Sequence, residues 1–467
     1  MKKIVTFIDL FAGMGGFRTG FELSCKENKL LPKCVFSSEI KDHARTVYLS
    51  NFENSELSGD ITKIESSQIP DFDILLAGFP CQAFSNAGLR HGFSDTRGTL
   101  FFEVERILRD KSPPAFILEN VEGLVSHNKI NSADSIGLTL SIILEKLDLI
   151  GYKVTWRVLN AKDFGLAQSR KRIFIVGTKK HLINLDNFPV KLSTIKNILQ
   201  SGLPVLENKL SKLLLTHFTL PQLYGKSVKD KRGGKNNIHS WDIELKGSVS
   251  EDQKDLLELI LRARRNKKWG ERKGIVWMDG MPLTANEIRT FYEHPKLQDL
   301  LDDLTFKKYL KYEHPKDIIC EQHEGKLKKV RKHRTDLEKG YNIVAGKLSY
   351  EINKILDPTD IAPTLVATDL DRVVVPDEDG IRCLTQVEQC RLFGFADNFK
   401  LPISVKLSHD LFGNTVPVPV VIAVTNRLLQ KIFFGIEPTA DQVNQYANSQ
   451  ESQNPQWCLD LGSKNSK

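Results

Sequence analysis

The chain has 467 residues, of which 40% are hydrophobic and 27% charged, with a formal net charge of +8. This length holds roughly two or three domains of about 100–200 residues, and the composition is ordinary for a soluble globular protein. No apolar run approaches the roughly 20 residues of a membrane-spanning helix, and the positive balance is compatible with nucleic acid without demanding it, because a polyanion needs a local basic face.

The N-terminus, MKKIVTFIDLFAG, mimics a signal peptide, but Asp9 interrupts it and no clean small-residue cleavage site follows. It reads as a first strand, Ile4–Leu10, and a cytoplasmic protein is expected. A glycine-rich turn leads into a predicted helix over Phe17–Lys26. The pattern then alternates: a strand at Cys34–Ser38, a helix at Asp42–Ser50, a strand at Asp73–Ala77, a helix at Gly98–Arg109 and a strand at Ala115–Leu118. An apolar helix is predicted at Ser135–Leu149, then strands at Lys153–Leu159 and Arg172–Gly177. Strands separated by helices imply an α/β domain with a mostly parallel sheet covered on both faces. Beyond residue 184 the text turns to loops, mixed charge and basic clusters such as Lys226–Arg232 and Arg262–Lys268, and patterned apolar text returns near Ile381. Val416–Leu429 reads as a buried strand or helix. The division expected is 1–184, an insert at 185–380, a returning block at 381–435 and a Gln-, Asn- and Ser-rich mobile tail at 436–467.

The chemistry-bearing residues cluster where strands end. Asp9–Gly16 (DLFAGMGG) is a glycine-rich strand-to-helix turn, which lets a ligand approach the backbone. Such turns also bind dinucleotides, or bind nothing. Glu39, after the second strand, is placed to accept ribose hydroxyls, and Asp60-Ile61 to meet an adenine edge; each acid taken singly can equally be a surface carboxylate. Together they describe a nucleoside pocket without the lysine of a phosphate-binding loop. The third strand runs into Gly78-Phe-Pro-Cys-Gln82, followed by a Gly-, Ser- and Asn-rich loop over Ala83–Arg97 suited to closing over a substrate. Cys81 is one of seven cysteines, with no CxxC pair, which argues against a disulfide framework and a structural zinc site, so no metal is expected. A lone cysteine after an apolar strand is usually a buried thiol; Pro80 and the ligand-facing strand end favour a reactive one. Glu119-Asn-Val121 ends another strand, and alternation puts Gln168, Arg170 and Arg172 on one face, away from Ser169 and Lys171.

With these blocks in order, the chain resembles the bacterial cytosine-5 DNA methyltransferases of restriction-modification systems. The matching blocks are DLFAGMGG at Asp9, Glu39, GDI at Gly59, GFPCQAFS at Gly78, ENV at Glu119, QSRKR at Gln168, RCLTQVEQCRLFGF at Arg382 and GNTVPVPV at Gly413. They cover about half of the chain; Ala396 departs from the proline that the family often carries. The resemblance implies a Rossmann-like S-adenosylmethionine-dependent methyltransferase fold with a second, smaller DNA target-recognition domain at 185–380, where Ala362–Ala367 (APTLVA) looks like the family's Thr-Leu signature.

The resemblance also implies roles. Cys81 is the nucleophile, Glu119 the proton donor to the ring, and Arg170 and Arg172 complete the catalytic group, with Arg170 holding the base's carbonyl or Glu119. Phe11, Gly13, Gly15, Gly16, Glu39, Asp60, Ile61, Pro80, Asn414 and Val416 bind S-adenosylmethionine. Gln82, Ser85, Gln168 and Thr364 contact double-stranded DNA. A monomer is expected, with a restriction endonuclease acting on the same site without stable association. An RNA cytosine methyltransferase on the same scaffold, a catalytically silent DNA-binding relative and a nucleotide-dependent oxidoreductase are the rival readings; the long insert, the intact Cys81, Glu119 and Arg170, and the Pro-Cys-Gln block respectively argue against them.

Overall fold

The computed structural model describes residues 3–436 except 54, 81–99, 130, 132, 277–279, 324–325 and 345–349, and not the side chains of 323–328. Cys81, Gln82, Ser85, Trp277 and the segment 437–467 therefore lie outside the described residues.

Seven strands form the main sheet: β1 (Ile4–Leu10), β2 (Leu31–Ser38), β3 (Leu57–Ser58), β4 (Ile74–Gly78), β5 (Ala115–Val121), β6 (Lys153–Asn160) and β7 (Lys171–Thr178). Their order is β3-β2-β1-β4-β5-β7-β6. Neighbours from β3 to β5 pair in parallel, whereas β7 runs antiparallel to both β5 and β6. The carboxyl ends of β1 to β5 therefore share one edge, and β7 begins at that edge, with Arg172 opposite Val121. The chain leaves β1 in one direction to reach β2 and in the other to reach β4. Open α/β sheets hold ligands at such a switch point, outside the carboxyl ends of the strands.

Helices α1 (Gly16–Glu27), α2 (Asp42–Asn51), α3 (Leu100–Lys111) and α4 (Leu138–Leu149) connect the strands. One face of the sheet buries Val5 and Phe7 against Phe17 and Phe21 of α1 and Val421 and Val424 of the helix Val418–Phe434. The other face buries Ile8 and Leu75 against Val104 of α3 and Leu140 of α4. Helix α4 starts three residues later than the apolar pattern predicts. Gly137 lies against the His127 backbone, where a Cβ would come within 1.9 Å of the carbonyl oxygen, and that contact fixes the turn before the helix.

The open choice for Val416–Leu429 resolves as helix. Pro419 fits its first turn, where a missing N–H costs nothing, and Gly435 in the left-handed region (φ 66°) ends it. Together with the preceding helix it corrects the expectation that no apolar stretch is long enough to cross a membrane: Val405–Phe434 passes by length and composition alone. The stretch is two helices, Val405–Asn414 and Val418–Phe434, and the second lines the core under the sheet.

Two compact units divide the chain. The first holds the sheet and comprises Met1–Gln200, Pro358–Asp371 and the chain from Leu384 onward; the second comprises Ser201–Asp357 and Arg372–Cys383. Residues 185–200 and 358–371, which composition groups with the insert, thus fall in the first unit. Backbone pairing explains this: Ile195 N–H donates to the Asp360 carbonyl at 2.9 Å and Ala362 N–H to the Ala167 carbonyl at 2.8 Å. In the second unit one core gathers Trp241, Trp269, Leu256, Ile260 and Leu301, and another lies under a five-stranded sheet around Val228, Ile355 and Val374. Trp241 and Trp269 are wholly buried and so serve packing. Arg264, in one of the basic clusters, is buried too and donates to Asn342 Oδ1 at 2.7 Å.

Candidate active site

The glycine turn after β1 is tied to the end of β2. Phe11, Gly13 and Gly15 all take positive φ (55°, 55° and 90°), which folds the backbone back on itself. The Gly13 N–H donates to Glu39 Oε2 at 2.8 Å, while Ile40 and Lys41 N–H groups donate to Oε1, each at 2.8 Å. A carboxylate accepts about four hydrogen bonds, so Glu39 keeps room for about one more. The space where a Gly13 side chain would stand is open within 4 Å. Gly16 is required for another reason: a Cβ there would lie 2.6 Å from Thr415 Oγ1 and 3.0 Å from Val416, so the returning segment packs directly on the start of α1.

Asp60 accepts from the Thr62 N–H at 3.1 Å and the Thr62 hydroxyl at 2.8 Å, and these bonds hold its carboxyl below the usual range. Ile61 beside it is buried. Val416 is buried as well, whereas Asn414 is exposed and its amide donates to Asp410, to the carbonyl at 2.8 Å and Oδ1 at 3.1 Å. The glycine-turn residues, Glu39, Asp60 and Pro80 thus all follow strand ends at one edge of the sheet.

The edge continues through β4 and β5. Gly78 lies opposite Glu119, and a Cβ on Gly78 would sit 3.6 Å from Glu119 Oε2. The Asn120 amide donates to the Phe79 carbonyl at 2.9 Å, anchoring the turn that leads through exposed Pro80 to Cys81. Block matching alone left Asn120 without a role; its signal was its place beside Glu119. Glu119 is only 8% exposed, and burial raises its pKa although Arg172 and Arg170 pull the other way. Arg172 Nε approaches Glu119 Oε1 to 3.0 Å.

The expectation that Arg170 holds Glu119 is corrected by this geometry. Residues 119 and 121 share a face of β5, and 172 is the register partner of 121, so Arg172 is the arginine brought to the carboxyl. Arg170 instead donates to three backbone carbonyls, Leu365 at 3.2 Å and Gly413 and Thr415 at 2.8 Å each. It fastens the Thr-Leu segment and the returning block to the residue just before β7. Thr364 is exposed and donates its hydroxyl to the Ser169 carbonyl at 2.6 Å. Gln168, expected at the DNA, is 1% exposed, and its amide meets no hydrogen-bond partner among the described residues. Its place is interior because 168 continues the inward face of Arg170 and Arg172.

Arg170→Met would orphan three carbonyls at about 1–3 kcal/mol each. The expected result is a loss of about 3 kcal/mol or more in denaturant unfolding; an unchanged midpoint would show that water replaces the guanidinium without cost.

Cys25 and Cys34, in the first unit, differ from a reactive thiol. Burial pushes Cys25 up to about 12 and Cys34 up to about 11. Thiols held neutral in this way are poor nucleophiles.

Fold and edge define an enzyme of the Rossmann-like methyltransferase class. The chain belongs to the C-5 cytosine-specific DNA methylase family, whose model matches residues 5–430, and is a DNA cytosine-5 methyltransferase. It is 56% identical over 428 residues to the Type II methyltransferase M.NlaIV of Neisseria lactamica, covering 92% of this chain and 99% of that one. M.BanI of Aneurinibacillus aneurinilyticus is 38% identical over 452 residues, with 91% and 96% covered. A solved prophage-encoded protein of E. coli, described as a DNA modification methyltransferase, has the same fold, with a TM-score of 0.50 at 19% identity over 91% of this chain and 99% of that one.

Proposed function

We propose that the protein methylates carbon 5 of a flipped-out cytosine in a specific duplex sequence through a covalent Cys81 adduct, as the modification half of a Type II restriction-modification system. The observation that carries this reading is the Glu119 carboxyl, buried beside the Gly78–Pro80 turn that leads to Cys81, with a pKa raised toward the protonated form.

S-adenosylmethionine, when bound, supplies an electrophilic methyl group. The residues present fit it: Gly13 leaves open space, Glu39 keeps an acceptor position for a ribose hydroxyl, and Asp60 and Ile61 stand after the neighbouring strand. Phe11, Gly15, Gly16, Pro80, Asn414 and Val416 complete the assignment.

Cys81 thiolate adds to cytosine carbon 6, breaking the 5,6 double bond, while Glu119 gives its proton to ring nitrogen 3. Carbon 5 becomes enamine-like and takes the methyl group. Loss of the carbon 5 proton to solvent then expels the thiolate and restores the double bond, and nitrogen 3 returns its proton to the Glu119 carboxylate. Arg172 orients Glu119, and Asn120 holds the turn that presents Cys81. A base inside a duplex cannot reach such a group, so it must be extruded at a cost of a few kcal/mol. Sequence choice falls to the second unit, and Gln82, Ser85 and Thr364 meet the DNA from the first. The protein acts as a cytoplasmic monomer, with an endonuclease of the same specificity as a functional partner.

Bisulfite sequencing of DNA from cells expressing the protein should reveal one short motif with a methylated cytosine. Unmodified DNA beside methylated tRNA would establish the RNA reading instead.

A further inference from the structure

Strand β3 is two residues long, lies at the edge of the main sheet and pairs with Ser37 and Ser38 of β2. Strands usually run about 3–10 residues, so a pairing this short needs side chains to hold its position. Gly59 and Asp60 follow β3 directly, as Glu39 follows β2. Arg45, on α2, reaches both strand ends. Its Nη1 donates to the Glu39 carbonyl at 2.9 Å and to the Ser58 carbonyl at 2.7 Å, and its Nη2 to the Leu57 carbonyl at 2.8 Å. The Glu39 N–H adds a backbone bond to the Ser58 carbonyl at 3.1 Å. Two further side chains tie the flanks: Ser37 Oγ donates to the Glu56 carbonyl and Arg106 Nη2 to the Ile64 carbonyl, each at 3.0 Å.

A guanidinium presents its donors in a rigid planar fork, so one side chain can bond three carbonyls and fix the distance between the strands that carry them. We propose that Arg45 sets the spacing of the cofactor's adenosine site, as a positioning residue between Glu39 and Asp60. The proposal rests on the assignment of those two carboxylates to S-adenosylmethionine made above. With Glu39 at the ribose and Asp60 at the adenine edge, both bonds to one rigid nucleoside form together at one separation of the two strand ends. Each carboxylate is engaged locally, Glu39 by the Gly13, Ile40 and Lys41 N–H groups and Asp60 by Thr62. The link from one segment to the other is therefore made by Arg45 and the backbone. Arg45 lies outside every matching block, and its role follows from the β2–β3 register and the reach of α2.

The test measures initial rates of the full-length enzyme on duplex DNA carrying its methylation motif, with S-adenosylmethionine varied. R45M should raise the KM for the cofactor about tenfold, the factor that one lost hydrogen bond gives, with a much smaller change in kcat. A merely structural arginine would act by lowering the folded fraction, which reduces kcat and leaves KM where it was; that result overturns the proposal. R45K keeps the charge but lacks the fork, and its KM should fall between the two. Should R45M fail to fold, a wild-type KM in R45K overturns the proposal. Equilibrium titration of E39A with S-adenosylmethionine separates the proposal from its premise. Wild-type affinity in E39A overturns the adenosine-site assignment itself, whereas weakened binding by E39A beside an unchanged KM in R45M overturns the role of Arg45 alone.

Discussion

Cys81→Ser abolishes methyl transfer in the expected result, while cofactor binding stays near wild type. The step demands a nucleophile that adds to an aromatic carbon and later leaves. A thiol titrates near ~8.5 and can be shifted into the physiological range, whereas a serine hydroxyl stays protonated without a strong base beside it. The groups assigned to the cofactor, Glu39 and the Gly13 backbone above all, belong to the ends of β1 and β2 and are bonded to each other independently of residue 81. Titration with S-adenosylmethionine should therefore give matching affinities for the two proteins. Duplex DNA carrying 5-fluorocytosine provides a second readout, because fluorine cannot leave as the carbon 5 proton does. Wild type should remain attached to that DNA on a denaturing gel and the serine variant should not. Activity of the variant above a few per cent would remove Cys81 from the mechanism.

Glu119→Gln lowers turnover by about 10²–10⁴, the range of general acid catalysis, with little change in DNA affinity. The amide preserves shape and a hydrogen bond but cannot release a proton to the ring. The pH dependence follows from the direction of the shift. Burial raises the Glu119 pKa above its ordinary value, so the acid form persists to higher pH than in an exposed glutamate and is lost as pH rises through the raised value. Wild-type turnover should fall on that alkaline side, and the limb should vanish in the glutamine variant. Arg172 is the larger of the two cations that pull the pKa down. Arg172→Met should consequently move the limb to higher pH, a displacement that mere loosening of the site would not produce. Turnover of Glu119→Gln equal to wild type would assign the proton to water.

Much of the site was legible because it is built from strand ends, and strand ends show as apolar runs stopping at glycine or a polar residue. Ile4–Leu10 followed by Asp9–Gly16, and Asp73–Ala77 followed by Gly78–Gln82, needed only local pattern. The QSRKR block was less readable. It precedes a strand rather than following one, and in an all-parallel sheet that position would lie at the far edge. Reversal of β7 brings it back beside Glu119, and hydrogen bonding across the sheet, not local propensity, decides that reversal.

By itself the sequence determined which residue types stand at each strand end, the α/β alternation and the place of the Pro-Cys-Gln block directly after the β4 strand. Those are properties of short windows, where side-chain period and turn chemistry are set by near neighbours. Tertiary structure alone decided which arginine meets Glu119, what Arg170 holds and where the units divide. Arg170 and Arg172 are two residues apart on one face and are alike in sequence; β5 register separates them by giving one a carboxylate and the other the carbonyls of Leu365, Gly413 and Thr415. Likewise 358–371 reads as insert by composition, yet joins the first unit because its backbone finds its partners there, at Ala167 and Ile195. Contacts across such sequence distances are fixed by packing and pairing, which no local window contains.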